Sequence, residues 1–401
     1  MNILIYTHAF PPMIGGIETI TLQLAQRLAA NTRCTTEDAA LVTVVTPKAE
    51  KDTNESAFPF RMIRAPSFMR LAKLIREADI LHVAGSDMLP LLLGWFLRKT
   101  MVVEHHGFQT VCPNGQMIYK PTQAPCPGHY MAGRHRRCLS CNATGGVMRS
   151  LKGWLLTSPR RWLCSQAHAN VMPTAWLSNV LRLPRMVTIH HGLPADKNPV
   201  SRPVGTPPRI VFLGRLVSTK GVHILLQAAH QLNDCEFQLN IIGDGPERSR
   251  LEADVRSLNL EGRVFFHGRL GADEVKQVLA ETRAVVMPSL AGEVFGLVAL
   301  ENMLRQKVLI VSEIGALTEV VGEAGLTFPA GDAQALASCL RRVLESDEFA
   351  EEMGSRAGRR ANSLFTPERM VDDHLVLYRR LLSSTPSQSL HNNCVTPSTQ
   401  G

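Results

Sequence analysis

Four charged residues in the second half of the chain stand where loops should meet the ends of strands, and their types suit one kind of ligand. Arg215 and Lys220 lie five apart on one loop, Gly214-Arg215 to Lys220-Gly221, which leads from a strand into a helix. Two cations beside a helix N-terminus, where backbone N–H groups also point at anions, could converge on a diphosphate. Taken alone, the pair also reads as two solvated loop cations. Further on, Pro288-Ser-Leu-Ala-Gly-Glu293-Val-Phe295-Gly296-Leu-Val-Ala-Leu-Glu301 sets two carboxylates eight residues apart. A carboxylate near a helix start can simply complement the helix dipole. A polyhydroxylated ligand, however, calls for carboxylates, because each accepts two hydroxyl hydrogen bonds at once. Glu301 interrupts the apolar run Leu297, Val298, Leu300, Met303, Leu304, and a charge is rarely buried in such a run without a partner. Gly243-Asp-Gly-Pro246 ends another strand in a turn tight enough for a planar base to approach the backbone, although Asp-Gly marks turns everywhere.

The elements that must hold these residues repeat in two halves. The chain has 401 residues, a length that suits two domains of roughly 150–200 residues each. Asn2–Thr7, a loop with Gly15 and Gly16, and an apolar helical spacing from Ile17 to Ala30 open a βαβ unit. Buried-strand runs follow at Ala40–Val45, Ile80–Val83, Thr100–Val103, Ala169–Met172 and Met186–Ile189. The first domain is thus placed at 1–195, with a cysteine-bearing insertion at about 108–145. Residues 196–208 are a proline-rich connector. The alternation then restarts over 209–365, with strands at Arg209–Leu213, Phe237–Ile242, Val264–His267, Ala284–Met287 and Val308–Val311. Strands alternating with helices predict parallel sheets covered on both faces. A last helix is expected at 366–382, packing back on the first domain, and a polar, disordered tail at 383–401.

Composition narrows the partners. Apolar residues make up 45% and charged residues 19%, so most of the chain should be globular. The most apolar stretch, Met88 to Leu97, falls far short of the about 20 residues a membrane span needs, and the N-terminus lacks a basic region of the signal-peptide kind. These features lead us to expect a cytoplasmic protein. The net charge of +8 is concentrated in one half: residues 1–195 carry 21 Lys and Arg against 10 Asp and Glu. Within 101–195 Glu104 is the single acid. A one-sided field of this kind fits an anionic membrane surface or another polyanion, although it also serves solubility. No nucleic-acid partner is expected, because the basic residues form no recognisable binding module.

Four of the nine cysteines fall in the insertion: Cys112, Cys126, Cys138 and Cys141. Cys138-Leu-Ser-Cys141 has chelating spacing, and Cys112 and Cys126 could complete a four-thiolate structural zinc site. The segment is rich in Pro and Gly and poor in apolar residues, so a metal would supply what a core cannot. An iron–sulfur cluster or four unrelated thiols are the other readings, and His129 and His135 are alternative ligands. Arg134, Arg136 and Arg137 give the segment positive charge.

Pro11-Pro12, Gly15-Gly16-Ile17-Glu18, Gly214-Arg215, Lys220-Gly221, Gly243-Asp-Gly-Pro246, the Glu293/Glu301 pair and Ile314-Gly315 to Gly331-Asp332 are similar in order and spacing to the retaining GT-B glycosyltransferases of family 4, the glycosyl transferases group 1. The resemblance covers roughly residues 1–382. It implies an α/β GT-B fold, with two Rossmann-like doubly wound domains facing a central cleft. It also implies transfer of a hexose or related sugar from a UDP- or GDP-type donor, with retention and without a metal or other cofactor in catalysis. Arg215 and Lys220 would bind the diphosphate and stabilise the leaving group, Glu293 would meet the transferred sugar, and Glu301 the ribose. Gly15, Gly16, Gly214, Gly243, Phe295 and Gly296 would complete the donor site. His106, rather than its neighbour His105, falls where the family places an active-site histidine. The acceptor would be a saccharide or lipid-linked, in cell-surface polysaccharide or glycolipid assembly, at the inner face of a membrane. The chain departs from the family pattern at Gln306, Val308 and Ala316. Two other readings stay open: a GT-B epimerase or phosphorylase, and a polyanion-binding protein with a metal knuckle and a disabled donor site.

Overall fold

The computed structural model describes residues 1–13, 15–31, 40–49, 55, 58–122, 124–142, 146–195 and 207–383. Most of the expected connector and the tail beyond 383 lie outside the described residues. Central strands such as Ile3-Leu-Ile-Tyr6 and Val308-Leu-Ile-Val311 are apolar at consecutive positions and buried on both faces. A sheet sandwiched between helices asks for this, whereas a half-solvated sheet would alternate.

The first domain contains β1 (Asn2–Thr7), α1 (Gly16–Asn31), β2 (Leu41–Thr46), β3 (Arg61–Arg64), α2 (Phe68–Glu77), β4 (Ile80–Ala84), α3 (Met88–Phe96) and β5 (Thr100–Glu104). The insertion follows, with β6 (Ile118–Tyr119), β7 (Ala124–Pro125) and α4 (His135–Asn142), then α5 (Val147–Gln166), β8 (Ala169–Met172), α6 (Ala175–Leu181) and β9 (Met186–Thr188). Its main sheet is parallel throughout, in the order β3-β2-β1-β4-β5-β8-β9.

The second domain contains β10 (Arg209–Leu213), α7 (Val222–His230), β11 (Gln238–Ile242), α8 (Arg248–Ser257), β12 (Val264–Gly268), α9 (Ala272–Ala280), β13 (Thr282–Met287) and α10 (Leu297–Leu304). It closes with β14 (Val308–Ser312), α11 (Leu317–Val321), β15 (Leu326–Phe328), α12 (Ala333–Glu345) and α13 (Asp347–Leu364). Its parallel sheet runs β12-β11-β10-β13-β14-β15. Strand order reverses between β1 and β4 in one sheet and between β10 and β13 in the other, and ligands of open α/β sheets bind at such points.

The final helix, α14 (Pro367–Ser383), returns to the first domain. Met370, Val371, Leu375 and Tyr378 share a core with Ile20, Leu24 and Leu28 of α1. Arg27 pairs with Glu368, and Leu193 N–H donates to Phe365 O at 3.1 Å. The edge strands β3 and β15 have no counterpart in the sequence reading, since four and three residues are too few to show a period.

Candidate donor cleft

The loops after β10 and β13 are tied together before either meets a ligand. Leu290 N–H donates to Thr219 O at 2.7 Å, and Ser312 Oγ donates to Ser289 O at 2.6 Å. Gly221 takes φ 68° with its backbone against the Pro288 carbonyl, where a Cβ would overlap the oxygen. Gly315, at φ 67°, passes so close to Glu293 that a Cβ would sit 2.5 Å from its nitrogen. Both positions require glycine. The outcome is that Lys220 and Glu293 are presented side by side and paired, with Ser289 Oγ also donating to Glu293 Oε1 at 3.0 Å.

These residues line a cavity of about 530 Å³ between the two domains. The second domain supplies Gly214, Arg215, Thr219, Lys220, Ser289, Glu293, Phe295 and Gly296. Arg215 is exposed there. α10 begins at this wall, with Gly296 at φ 90° and no side chain capping its N-terminus, so its first N–H groups are left for a ligand. From the first domain come Gly16 and Ile17 at the start of α1, His106 and Phe108 after β5, and His191 after β9; the insertion adds Gln116 and Ile118.

Arg215, Lys220, Glu293, His106, Gly16, Gly214, Phe295 and Gly296 are therefore brought together. Gly15, Gly243 and Glu301 are not among the residues that line the cavity. Gly15 precedes the helix turn that does so, and Gly243 packs on the Gly214 carbonyl. Glu301 is one turn beyond Leu297, where burial pushes its carboxyl pKa up and Arg305 partly offsets this. The family departures also lie outside the lining. Gln306 takes φ 56°, a conformation natural to glycine, at the end of α10 against α13. The Ala316 N–H is spent on Glu293 O at 2.9 Å.

Beneath His106 lies a feature that the sequence reading missed. Glu104, at the end of β5, is 1% exposed. His82 Nε2 lies 3.1 Å from Glu104 Oε2, and Tyr378 Oη of α14 lies 2.7 Å from His82 Nδ1. A carboxylate can only accept, so Nε2 donates to it and Nδ1 accepts from the tyrosine. His106 Nε2 stands 3.7 Å from Oε2 and His191 Nδ1 3.5 Å from Oε1. Burial opposes the Glu104 charge, but His106 and the His82 bond outweigh it and hold the carboxyl well below the usual range. Burial lowers His106 and takes His191 down to about 3. His105 is lowered to about 4, chiefly by burial; it faces away, bonded to Asn170 Oδ1 at 2.9 Å. Ligand atoms of Glu104, His106 and His191, and of His82, Glu104 and His374, lie within 4.8 Å in each group, a spacing that would admit a metal. The one available sequence signal was the lone acid in a basic stretch.

In the insertion, burial raises the Cys138 thiol to about 12, with Cys112, Cys126 and Cys141 adding to the effect, although among the described residues no three of these sulfurs stand within 4.8 Å of one another. Lys120 N–H and Asn114 Nδ2 approach Cys141 Sγ at 3.3 and 3.5 Å. His129 and His135 instead pack on Tyr119 and on Tyr130 and Trp154.

Two parallel-sheet domains facing a cleft give this chain the GT-B fold. Over residues 195–360 it carries the domain of the family described as glycosyl transferases group 1. It is 33% identical over 179 residues to O-antigen chain mannosyltransferase C of Escherichia coli, covering 43% of this chain and 47% of that one. It is 36% identical over 160 residues to the D-rhamnosyltransferase WbpZ of Pseudomonas aeruginosa, covering 39% and 41%. The chain thus spans about half the length of the curated relatives it matches. Among solved structures, sucrose-phosphate synthase from Thermosynechococcus elongatus superposes with a TM-score of 0.70 at 21% identity, covering 96% of this chain and all of that one. Anabaena HepE in complex with UDP gives 0.69 at 18%, covering 95% and 100%. Among the described residues, no helix is long and apolar enough to cross a membrane.

Proposed function

We propose that this protein transfers a hexose or related sugar from a UDP- or GDP-type donor to a saccharide or lipid-linked acceptor in cell-surface polysaccharide or glycolipid assembly. The observation that carries the reading is the convergence of Arg215, Lys220 and Glu293 on one cavity beside the uncapped start of α10. Breaking a glycosyl–phosphate bond leaves negative charge on the departing diphosphate. Fixed cations and helix-end N–H groups stabilise that charge as it develops. Lys220 has three donors, of which Glu293 takes one, leaving two for phosphate oxygens. Glu293, held by Lys220 and Ser289, keeps acceptor capacity for sugar hydroxyls. His106 and His191 face it from the other domain.

Retention, as in family 4, is part of the proposal. Among the described residues, the first domain's share of the lining offers no carboxylate, hydroxyl or thiol to act as nucleophile. This favours attack on the face the diphosphate leaves, with a leaving phosphate oxygen taking the acceptor's proton. Similarity to an O-antigen mannosyltransferase and a rhamnosyltransferase supports the polysaccharide setting. We also propose that Cys112, Cys126, Cys138 and Cys141 hold a structural zinc. The ion would stabilise the thiolates that burial disfavours and brace the insertion that supplies Gln116 and Ile118 to the cleft.

Titration calorimetry with UDP and GDP tests the donor reading. Binding of one of them is expected, and Lys220→Met should weaken it roughly 10- to 100-fold, the worth of one charge-assisted contact. Failure of the intact protein to bind either nucleotide would overturn the proposal.

A further inference from the structure

Helices α2, α3 and α5 lie side by side over one face of the first sheet, α2 against α3 and α3 against α5. Their inner sides bury Leu71, Ile75, Leu91, Leu93 and Leu163 on that sheet. Their outer sides are apolar as well. Of the sixteen large hydrophobic residues exposed among the described residues, eleven are on these three helices. They include Met69 (76% exposed), Leu92, Trp95, Phe96 (75%), Met148 (78%) and Trp162. Trp95 and Trp162 meet edge to face at 5.2 Å, joining the outer surfaces of α3 and α5. An exposed apolar field of this extent marks a contact surface, whereas scattered single residues would not.

The charges interleaved with it identify the occupant. Arg70, Lys73, Arg76, Arg149 and Lys152 are exposed on these helices and Arg98 just beyond α3, against Glu77 within them and Asp79 and Asp87 beside their ends. A second copy of the chain seated here would set like charges against each other across a twofold axis. An anionic lipid surface answers both features: aromatic and aliphatic tips enter the headgroup boundary, and each basic residue near it adds about 1 kcal/mol of attraction.

We infer that this three-helix face docks the protein on an anionic membrane surface, with Leu92, Phe96 and Met148 among the side chains that enter it. The inference extends the proposed function by naming where a lipid-linked acceptor would be met. α5 packs on the cysteine-bearing insertion through Gly153 and Pro113, and that insertion forms part of the cleft wall. Docking itself needs no donor, so the two readings fail separately.

The test is co-sedimentation of the full chain with vesicles of phosphatidylcholine alone or mixed with phosphatidylglycerol, at low and high salt. The chain should sediment with the mixed vesicles at low salt and stay largely in solution with phosphatidylcholine. Leu92→Ser with Phe96→Ser should lower partitioning about 10-fold or more, since two exposed apolar side chains lose their burial. Arg149→Glu with Lys152→Glu should weaken binding and flatten its salt dependence. Each variant is first shown to be folded, by an unchanged unfolding midpoint and unchanged UDP or GDP binding. No sedimentation with mixed vesicles at low salt overturns the inference, as do folded variants that sediment like the parent. Conversion of a dimer to a monomer by the Leu92/Phe96 variant also overturns it, in favour of a second copy. A parent chain that binds UDP or GDP yet never sediments with mixed vesicles overturns the docking face alone and leaves the proposed function standing.

Discussion

Replacing Glu104 probes the point where the first sheet meets both the cleft and α14. Glu104→Ala leaves the His82 N–H without its acceptor and removes the negative charge facing His106 and His191. Breaking a buried pair by deleting one partner costs about 3–5 kcal/mol. For a folding unit of 150–250 residues, 1 kcal/mol moves the midpoint by roughly 2–4 °C, so the alanine variant should melt ~6–20 °C lower. Glu104→Gln keeps an oxygen for His82 at the 3.1 Å position and loses only the charge. The difference between a charged and a neutral hydrogen bond, about 1–2 kcal/mol, then predicts a fall of ~2–8 °C. The pH dependence follows from the direction of the shift. The folded carboxyl lies well below its usual range, so its contribution is present above the unfolded value of about 4.3 and is lost as pH falls through the folded one. The gap between parent and Glu104→Gln should thus be constant at neutral pH and close only below about pH 4. Circular-dichroism melts across pH give the answer. A glutamine variant as stable as the parent at neutral pH, or a gap that persists in strong acid, would refute the reasoning.

The buried imidazoles act over a different window. With His105 and His191 lowered to about 4 and about 3, the unfolded chain takes up protons first. Stability should fall below about pH 6.5, by roughly 1.4 kcal/mol per pH unit for each group, and denaturant titrations of His191→Asn should show a shallower slope. In the insertion, Cys138→Ser with Cys141→Ser should abolish zinc retention measured by elemental analysis and lower the unfolding midpoint; a metal-free parent purified without chelator would refute the zinc site. Glu293→Gln should reduce kcat/KM at least about 10-fold through lost contacts to sugar hydroxyls while leaving UDP or GDP binding within about twofold. An equal loss in both would show that Glu293 serves the diphosphate rather than the sugar.

The two-domain fold and one wall of the cleft were legible because their signals are local. Apolar runs of five or six residues announced the central strands, and Gly214-Arg215, Lys220-Gly221 and Glu293 each sit in a short loop at a strand end that its own glycines mark in the sequence. The opposite wall is assembled from distant segments. Glu104 gains its meaning from His82 on the next strand, His191 after β9 and Tyr378 on the last helix, and no spacing along the chain expresses those contacts. Glu301 shows the limit of a local signal: a charge inside an apolar run does mark an unusual environment, and burial raises its carboxyl pKa, but spacing alone does not express which way the helix turns it.

Across the cleft mouth, the Glu319 carboxylate of α11 accepts from Ala175 N and Trp176 N, both at 2.8 Å, while Thr174 Oγ1 donates to Val294 O at 3.1 Å. The start of α6 is thus fastened to the opposite domain by an acidic latch. Any swinging apart of the two halves must first strip that carboxylate from its amides and hand it to water, at roughly 1.5–3 kcal/mol for each charged bond. Gape is therefore taxed at this one corner, and the easiest way for the molecule to admit a bulky guest is to pivot about the latch instead of releasing it.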